Sequence, residues 1–248
     1  MTLQRILLTG AAGRIGTAFY QTCGANYHVR LADRVVEPLV GNLVSDDVVQ
    51  FDVADLDDCY RVCQDIDTVV HLAGDASPDA DFYHSLLESN IKGAYNIFCA
   101  AKDQGCRRVV FASSAQAVEG YPLEVQVRAD MPVRPKNMYG VTKCFGEALA
   151  SYFAFTKGLS SIAVRIGNLA EFEAGQDHTA RDISAFISER DLVHLLVQCV
   201  ETPDIQFAIV HGVSNNRFKR LDLVTTRQQL GYAPQDDGFA VLQIGLHD

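Results

Sequence analysis

The amino-acid sequence predicts an α/β fold, a doubly wound parallel sheet with helices on both faces and a small C-terminal lobe. Strand-length apolar runs alternate with helix-period segments along the chain, the pattern of repeated strand–helix–strand crossovers. The first run, Ile6-Leu7-Leu8-Thr9, passes into Gly10-Ala11-Ala12-Gly13-Arg14-Ile15-Gly16 and then into helix-forming residues from Thr17. Polar and small residues gather where the runs end, at Asp33, Asp52, Ala73-Gly74 and Ser113-Ser114. Ligands of open parallel sheets sit beyond those carboxyl ends.

The residues of the first turn have separate tasks. Gly10 supplies backbone angles closed to other residues, Gly13 leaves the amides open to a pyrophosphate, and Gly16 lets helix and strand pack closely. The free N–H groups and dipole of the helix that starts at Arg14, Ile15 and Gly16 favour bound phosphate. A Gly-x-x-Gly-x-x-Gly turn alone also fits other α/β proteins. The second run, Tyr27 to Ala32, ends at Asp33, about 20 residues beyond Gly13. A carboxylate there accepts hydrogen bonds from an adenosine ribose and repels a 2′-phosphate, so the expected cofactor is NAD rather than NADP; the adjacent Arg34 works against that exclusion.

Further along, Val48-Val49-Gln50-Phe51 is a short strand ending at Asp52, which with Val53 is placed to meet an adenine ring, while Asp55 suits a helix N-cap. Thr68 to Gly74 is a fourth strand whose small terminal residues, Ala73 and Gly74, let a cofactor lie against the backbone. His71, inside that apolar strand, reads as a satisfied core histidine. Asp81 to Gln104 has helical spacing, with Asn90 polar within it as a surface residue or the holder of a helix distortion and a water. Arg107 to Ala112 is the fifth strand, and the segment 115–137 contains Pro122, Pro132 and Pro135, so it should be irregular and well fixed. A helix then begins at Tyr139-Gly140-Val141-Thr142-Lys143. Ser160 to Ile166 is a sixth strand, 167–182 is loop-like, Arg190 to Val197 is helical, Phe207 to His211 is a strand, and Arg227 to Tyr232 is a short glycine-capped helix.

Tyr139 and Lys143 stand one helical turn apart and share a face. A phenol is a poor base at neutral pH, and a neighbouring ammonium brings it toward working range. Ser114, at the end of the fifth strand, is placed to hydrogen-bond and orient a substrate oxygen. A base, its activator and an orienting hydroxyl beside a nicotinamide suit oxidation of an alcohol.

In combination, Thr9 to Gly16, Val70 to Gly74, Ser113-Ser114 and Tyr139 to Lys143 resemble the extended short-chain dehydrogenase/reductase superfamily, with its Rossmann fold, over nearly the whole chain. Tyr139 to Glu147, Val164-Arg165-Ile166-Gly167 and Leu230-Gly231-Tyr232-x-Pro234 are most similar to uronate dehydrogenases and related NAD-dependent sugar dehydrogenases. The resemblance implies oxidation of a cyclic sugar or hexuronate-like sugar acid at its anomeric carbon to a lactone. It also implies cofactor contacts from Leu72, Asn90, Tyr139 and Lys143 besides the residues above. The implied substrate side comprises Ser77, Ser114, Ala115, Gln116, Tyr139, Asn168 and Arg181, the last able to pair bidentately with a carboxylate. The family's Asn-His pair after the two serines is replaced here by Ala115-Gln116, which leaves a uronate, a neutral aldose and a sugar phosphate all open. Flanking helices, including the one carrying Tyr139, commonly form dimer faces in this superfamily, so a homo-oligomer is compatible.

The chain of 248 residues fits a single NAD-binding domain, with 167–205 and 212–248 forming the small substrate lobe. Its net charge of −10 argues against a nucleic-acid partner. Seven cysteines without a Cys-x-x-Cys suggest reduced thiols and no metal site. The start of the chain runs directly into the first strand, and no apolar run approaches membrane-spanning length, so a cytoplasmic location is expected. Two rival functions share parts of the pattern: a nucleotide-sugar epimerase or dehydratase, which needs a larger C-terminal domain, and a non-catalytic NAD sensor, which generally lacks the Tyr and Lys.

Overall fold

The computed structural model describes residues 3–39, 47–172 and 178–244. Part of the stretch 167–182, expected to be loop-like, therefore lies outside the described residues. Seven strands form one parallel sheet in the order β3-β2-β1-β4-β5-β6-β7: β1 (Arg5–Thr9), β2 (His28–Asp33), β3 (Val48–Gln50), β4 (Thr68–His71), β5 (Arg108–Ser114), β6 (Ser160–Ile166) and β7 (Phe207–Gly212). The order reverses between β1 and β4, and the two chain segments leaving that point diverge to open a crevice.

Both faces of the sheet are covered, which is why the strands read as unbroken apolar runs. Ile6 and Leu8 of β1 enter one core with α1 (Arg14–Cys23), while Leu7 between them enters the other with Phe98 and Phe153. The first layer is completed by α6 (Glu189–Glu201), which contacts α1. The second holds α2 (Leu56–Cys63), α3 (Gly93–Asp103) and α4 (Met138–Lys157). Three short helices, α5 (Ala180–Ser184), α7 (Val224–Leu230) and α8 (Gly238–Val241), complete the C-terminal part. The α6 helix, inside the 167–205 stretch assigned from sequence to the lobe, is thus a covering helix of the sheet. As expected, Asp55 caps α2, accepting from the N–H groups of Asp57 (2.9 Å) and Asp58 (3.1 Å).

The long helix expected over Asp81 to Gln104 is one piece with two geometries. Phe82–Lys92 is a wide-turned π-helix that continues directly as α3. The Leu86 N–H reaches back five residues to the Asp81 carbonyl (3.1 Å). Such bulges recur at functional sites, and this one carries Asn90.

His71 is a satisfied core histidine, 2 % exposed, with Nδ1 2.8 Å from the Thr9 hydroxyl. Burial holds it neutral, driving its pKa down to about 3; burial likewise drives His211 down to about 4. A base depressed in the folded state binds its proton better when unfolded. The stability it contributes is complete above the ordinary histidine pKa and is lost as pH falls toward the folded value. Between pH 7 and pH 5 each histidine should cost about 2 kcal/mol. Together that corresponds to a melting temperature lower by about 10 °C. Equal melting temperatures at the two pH values would contradict this.

Candidate active site

Along β1 the chain needs a tight turn to feed α1, and Gly10 makes it at φ +69°. A Cβ at Gly10 would stand 2.8 Å from the Ala73 nitrogen, and one at Gly16 would stand 2.5 Å from the Gly10 carbonyl oxygen. The turn after β1, the turn after β4 and the start of α1 are therefore packed backbone to backbone. Gly13 is the N-cap, so no side chain covers the first N–H groups of α1. The Thr9 hydroxyl joins the two strand ends by also accepting from the Ala73 N–H (3.2 Å).

In front of these turns lies a cleft of about 830 Å³, within the range of small-molecule and cofactor sites. Its lining includes Gly10, Gly13, Arg14, Ile15, Gly16, Asp33, Asp52, Val53, Leu72, Ala73 and Gly74, bringing together every expected cofactor residue except Asn90, Tyr139 and Lys143. At its rim the Asp33 carboxylate accepts from the Ala12 N–H (2.9 Å), so it is fixed to the glycine turn. Arg34 lines the cleft as well. Asp52 is half of a local turn, its Oδ1 accepting from the Ala54 N–H (2.9 Å). A cleft lined both by the turn that opens α1 with uncapped N–H groups and by a carboxylate fixed to that turn fits a dinucleotide.

Asn90 has no polar atom to spare. Its Oδ1 accepts from the Asp75 N–H (2.8 Å) and the Ser89 hydroxyl (2.8 Å); its Nδ2 donates to the Asp75 carbonyl (2.9 Å) and to the Thr142 hydroxyl (3.2 Å). It clamps the turn after β4 to α4 and so acts by position. Asp75 was not singled out from sequence. Its carboxylate accepts from the Ser85 hydroxyl (2.5 Å) and acts electrostatically on both Tyr139 and Lys143. The signal was its place immediately after Gly74, at a strand's carboxyl end.

The α4 helix starts where the Asn137 side chain accepts from the Gly140 N–H (2.7 Å). Tyr139 and Lys143 are both buried, and the Lys143 Nζ lies 5.4 Å from the Tyr139 ring centre. Burial raises the Tyr139 phenol above its ordinary pKa; a hydrogen bond with Ser114 opposes the rise, and the charge of Asp75 adds to it. The expectation that Lys143 brings the phenol down is not met in this structure: burial raises the phenol, and the Lys143 Nζ donates to the Ala112 carbonyl (2.9 Å). Burial also lowers Lys143, to about 8.

On the expected substrate side the residues divide. Ser114 meets Tyr139 and accepts from the Gln116 N–H (3.2 Å), and Ala115 is buried beside it. The Gln116 Oε1 is taken by the Asn137 Nδ2 (3.1 Å). Ser77 is exposed, its N–H donating to Asp75 (2.9 Å). Asn168 follows β6, its backbone bonded to Ala185 (2.7 Å) and Ile187 (3.0 Å). Arg181 is not open as expected: Glu119 holds its guanidinium through two bonds, Nε–Oε1 (3.0 Å) and Nη2–Oε2 (2.6 Å). Among the described residues no group of three or more His, Cys, Asp or Glu is placed to hold a metal ion, and no helix is long and apolar enough to cross a membrane.

Comparison with known proteins agrees with this geometry. Residues 6–200 match the model of the NAD-dependent epimerase/dehydratase family. The chain is 37 % identical to an NAD-dependent glucose-6-phosphate dehydrogenase of Haloferax volcanii, over 94 % of each chain. It is 35 % identical to a uronate dehydrogenase of Pseudomonas syringae pv. tomato, over 94 % of this chain and 82 % of that one. Among solved structures it superposes on a mutant uronate dehydrogenase of Agrobacterium tumefaciens complexed with NAD, with a TM-score of 0.84, 32 % identity and coverage of 96 % and 86 %. The glycine turn, the parallel sheet and the Ser-Tyr-Lys group thus have one common explanation: the chain belongs to the NAD-dependent epimerase/dehydratase family.

Proposed function

We propose that the protein is an NAD-dependent dehydrogenase that oxidises a sugar or sugar acid at its anomeric carbon to a lactone. The observation that carries the reading is the buried Tyr139 phenol, one helical turn from the buried Lys143 whose Nζ lies 5.4 Å from its ring centre, on the helix that Asn90 ties to the turn after β4 that lines the cofactor cleft. Ser114 orients the anomeric hydroxyl, and Tyr139 takes its proton as the C1 hydride leaves. When bound in the cleft, an oxidised nicotinamide would supply the hydride acceptor. Lys143, fixed by the Ala112 carbonyl, holds a donor beneath the phenol, and Asn90 holds the Asp75 turn against α4. The seven unpaired cysteines suit a reducing, cytoplasmic setting. The test is NADH formation on mixing the protein with NAD and a panel of aldoses, uronates and sugar phosphates. Nucleotide-sugar interconversion without net NADH would replace this reading by an epimerase.

Asp33 sets the choice of dinucleotide in this reading. Asp33→Asn keeps an oxygen for the Ala12 N–H and removes the charge. The ratio of kcat/KM for NADP to that for NAD should rise about tenfold. An unchanged ratio would take Asp33 out of that role.

A further inference from the structure

The turn after β4 is where the cleft and the Tyr139 helix meet. Gly74 takes φ +145°, and a Cβ there would stand 3.0 Å from Asn90 Oδ1, so the backbone passes close to Asn90 and sets Asp75 in the lining of the cleft. Asn90 grips Asp75 by both backbone groups, through the Asp75 N–H (2.8 Å) and the Asp75 carbonyl (2.9 Å). The same Asn90 Nδ2 reaches the Thr142 hydroxyl (3.2 Å), which donates to the Tyr139 carbonyl (2.7 Å). Asp75 is thus tied to the turn of α4 that carries Tyr139 and Lys143, and its charge acts on both. The carboxylate is half-buried and held by neutral groups, the Ser85 hydroxyl (2.5 Å) and the Ser77 N–H (2.9 Å), with no ion pair among the described residues. The other acids of the cleft differ. Asp33 and Asp52 follow β2 and β3, on the far side of β1, whereas Asp75 follows β4, next to the strand that ends at Ser114. Glu88 spends its charge on Lys92 (3.0 Å).

We propose that Asp75 is the counter-charge for the nicotinamide: its carboxylate on the cleft wall makes the protein bind NAD more tightly, relative to NADH, than a neutral wall would. The proposal rests on the dehydrogenase reading above and deepens it. That reading needs the ring against Tyr139, because hydride and proton leave one C–O–H unit of the substrate, and the Asp75 turn is the wall that joins Tyr139 to the cleft. The ring is positive when oxidised and neutral when reduced, so a fixed carboxylate separates the two forms by charge alone. Lys143, the other charge beside Tyr139, keeps its Nζ on the Ala112 carbonyl and is present for both forms. By linkage the bound ring becomes a weaker hydride acceptor by the same factor, so the preference serves exchange of spent NADH for NAD rather than the hydride step.

The test is calorimetric titration of NAD and of NADH, without sugar, into the wild type and Asp75→Asn, which keeps the size of the side chain and an oxygen for the Ser77 N–H. The Kd for NADH divided by the Kd for NAD should fall about tenfold in the variant. A role in shape alone would weaken both forms alike, so a ratio that stays or rises in a variant that melts like the wild type overturns the proposal and leaves the dehydrogenase reading standing. Two further variants keep the test decisive if the amide disturbs the turn. Asp75→Ser, also neutral, should lower the ratio as Asn does, and Asp75→Glu, which keeps the charge, should hold the wild-type ratio; the opposite order overturns the proposal. A wild type that binds neither NAD nor NADH overturns both.

Discussion

Tyr139→Phe is expected to lower kcat on any accepted sugar by about 10²- to 10⁴-fold, the contribution of a positioned proton acceptor, with NAD affinity nearly unchanged. Phenylalanine keeps the buried ring and removes only the phenolic oxygen. The dinucleotide-binding turn after β1 and the carboxylate at Asp33 are untouched, because the cleft they line does not include Tyr139. The wild-type pH profile carries a second readout. Burial raises the phenol, and the acceptor must be unprotonated, so kcat rises with pH over the neutral-to-alkaline range. In Tyr139→Phe that dependence should flatten. Steady-state NADH formation and calorimetric NAD titration measure both, and a variant with ordinary rates would remove Tyr139 as the base.

Much of this arrangement is legible in the sequence because it depends on short-range constraints. Gly10 must take a positive φ for β1 to turn into α1, and Asp33 must sit at the end of the next strand, so both are visible as residue types at fixed spacing. Strands buried on both faces announce themselves as apolar runs, and all seven strands lie where those runs fall. What escapes is set by burial and by long-range pairing. The phenol of Tyr139 and the ammonium of Lys143 are one helical turn apart in any helix, but which of desolvation and attraction wins depends on how much water the fold removes. Glu119 reads as a solvated acid in a proline-containing loop until Arg181, 62 residues on, closes against it. The wide turns around Asn90 hide for another reason: one helix changing pitch keeps an apolar face, so the spacing of Leu86, Ile97 and Phe98 does not reveal the change.

The other large effect concerns what holds α4 in place. Glu147, two helical turns beyond Tyr139, is 3 % exposed; it accepts from Arg165 Nε (2.8 Å) and Nη2 (2.8 Å) of β6 and from the Ser113 hydroxyl (2.7 Å) of β5. Arg165 is 1 % exposed, and its Nη1 has no hydrogen-bond partner among the described residues. The pair thus fastens the catalytic helix to the two strands whose ends carry Ser114 and Asn168. Glu147→Gln keeps the shape and strands a buried guanidinium, which should cost about 3–5 kcal/mol. For a chain of this size that lowers the melting temperature by about 10 °C or more. Removing both charges with Glu147→Leu and Arg165→Met should recover a large part of the loss, because the cost of a broken buried pair lies mainly in the charge left behind. Thermal melts of the wild type, both single variants and the double variant close the cycle. If the double variant melts as low as Glu147→Gln, the cost lies in lost packing, and the ion pair is not what holds α4 against the sheet.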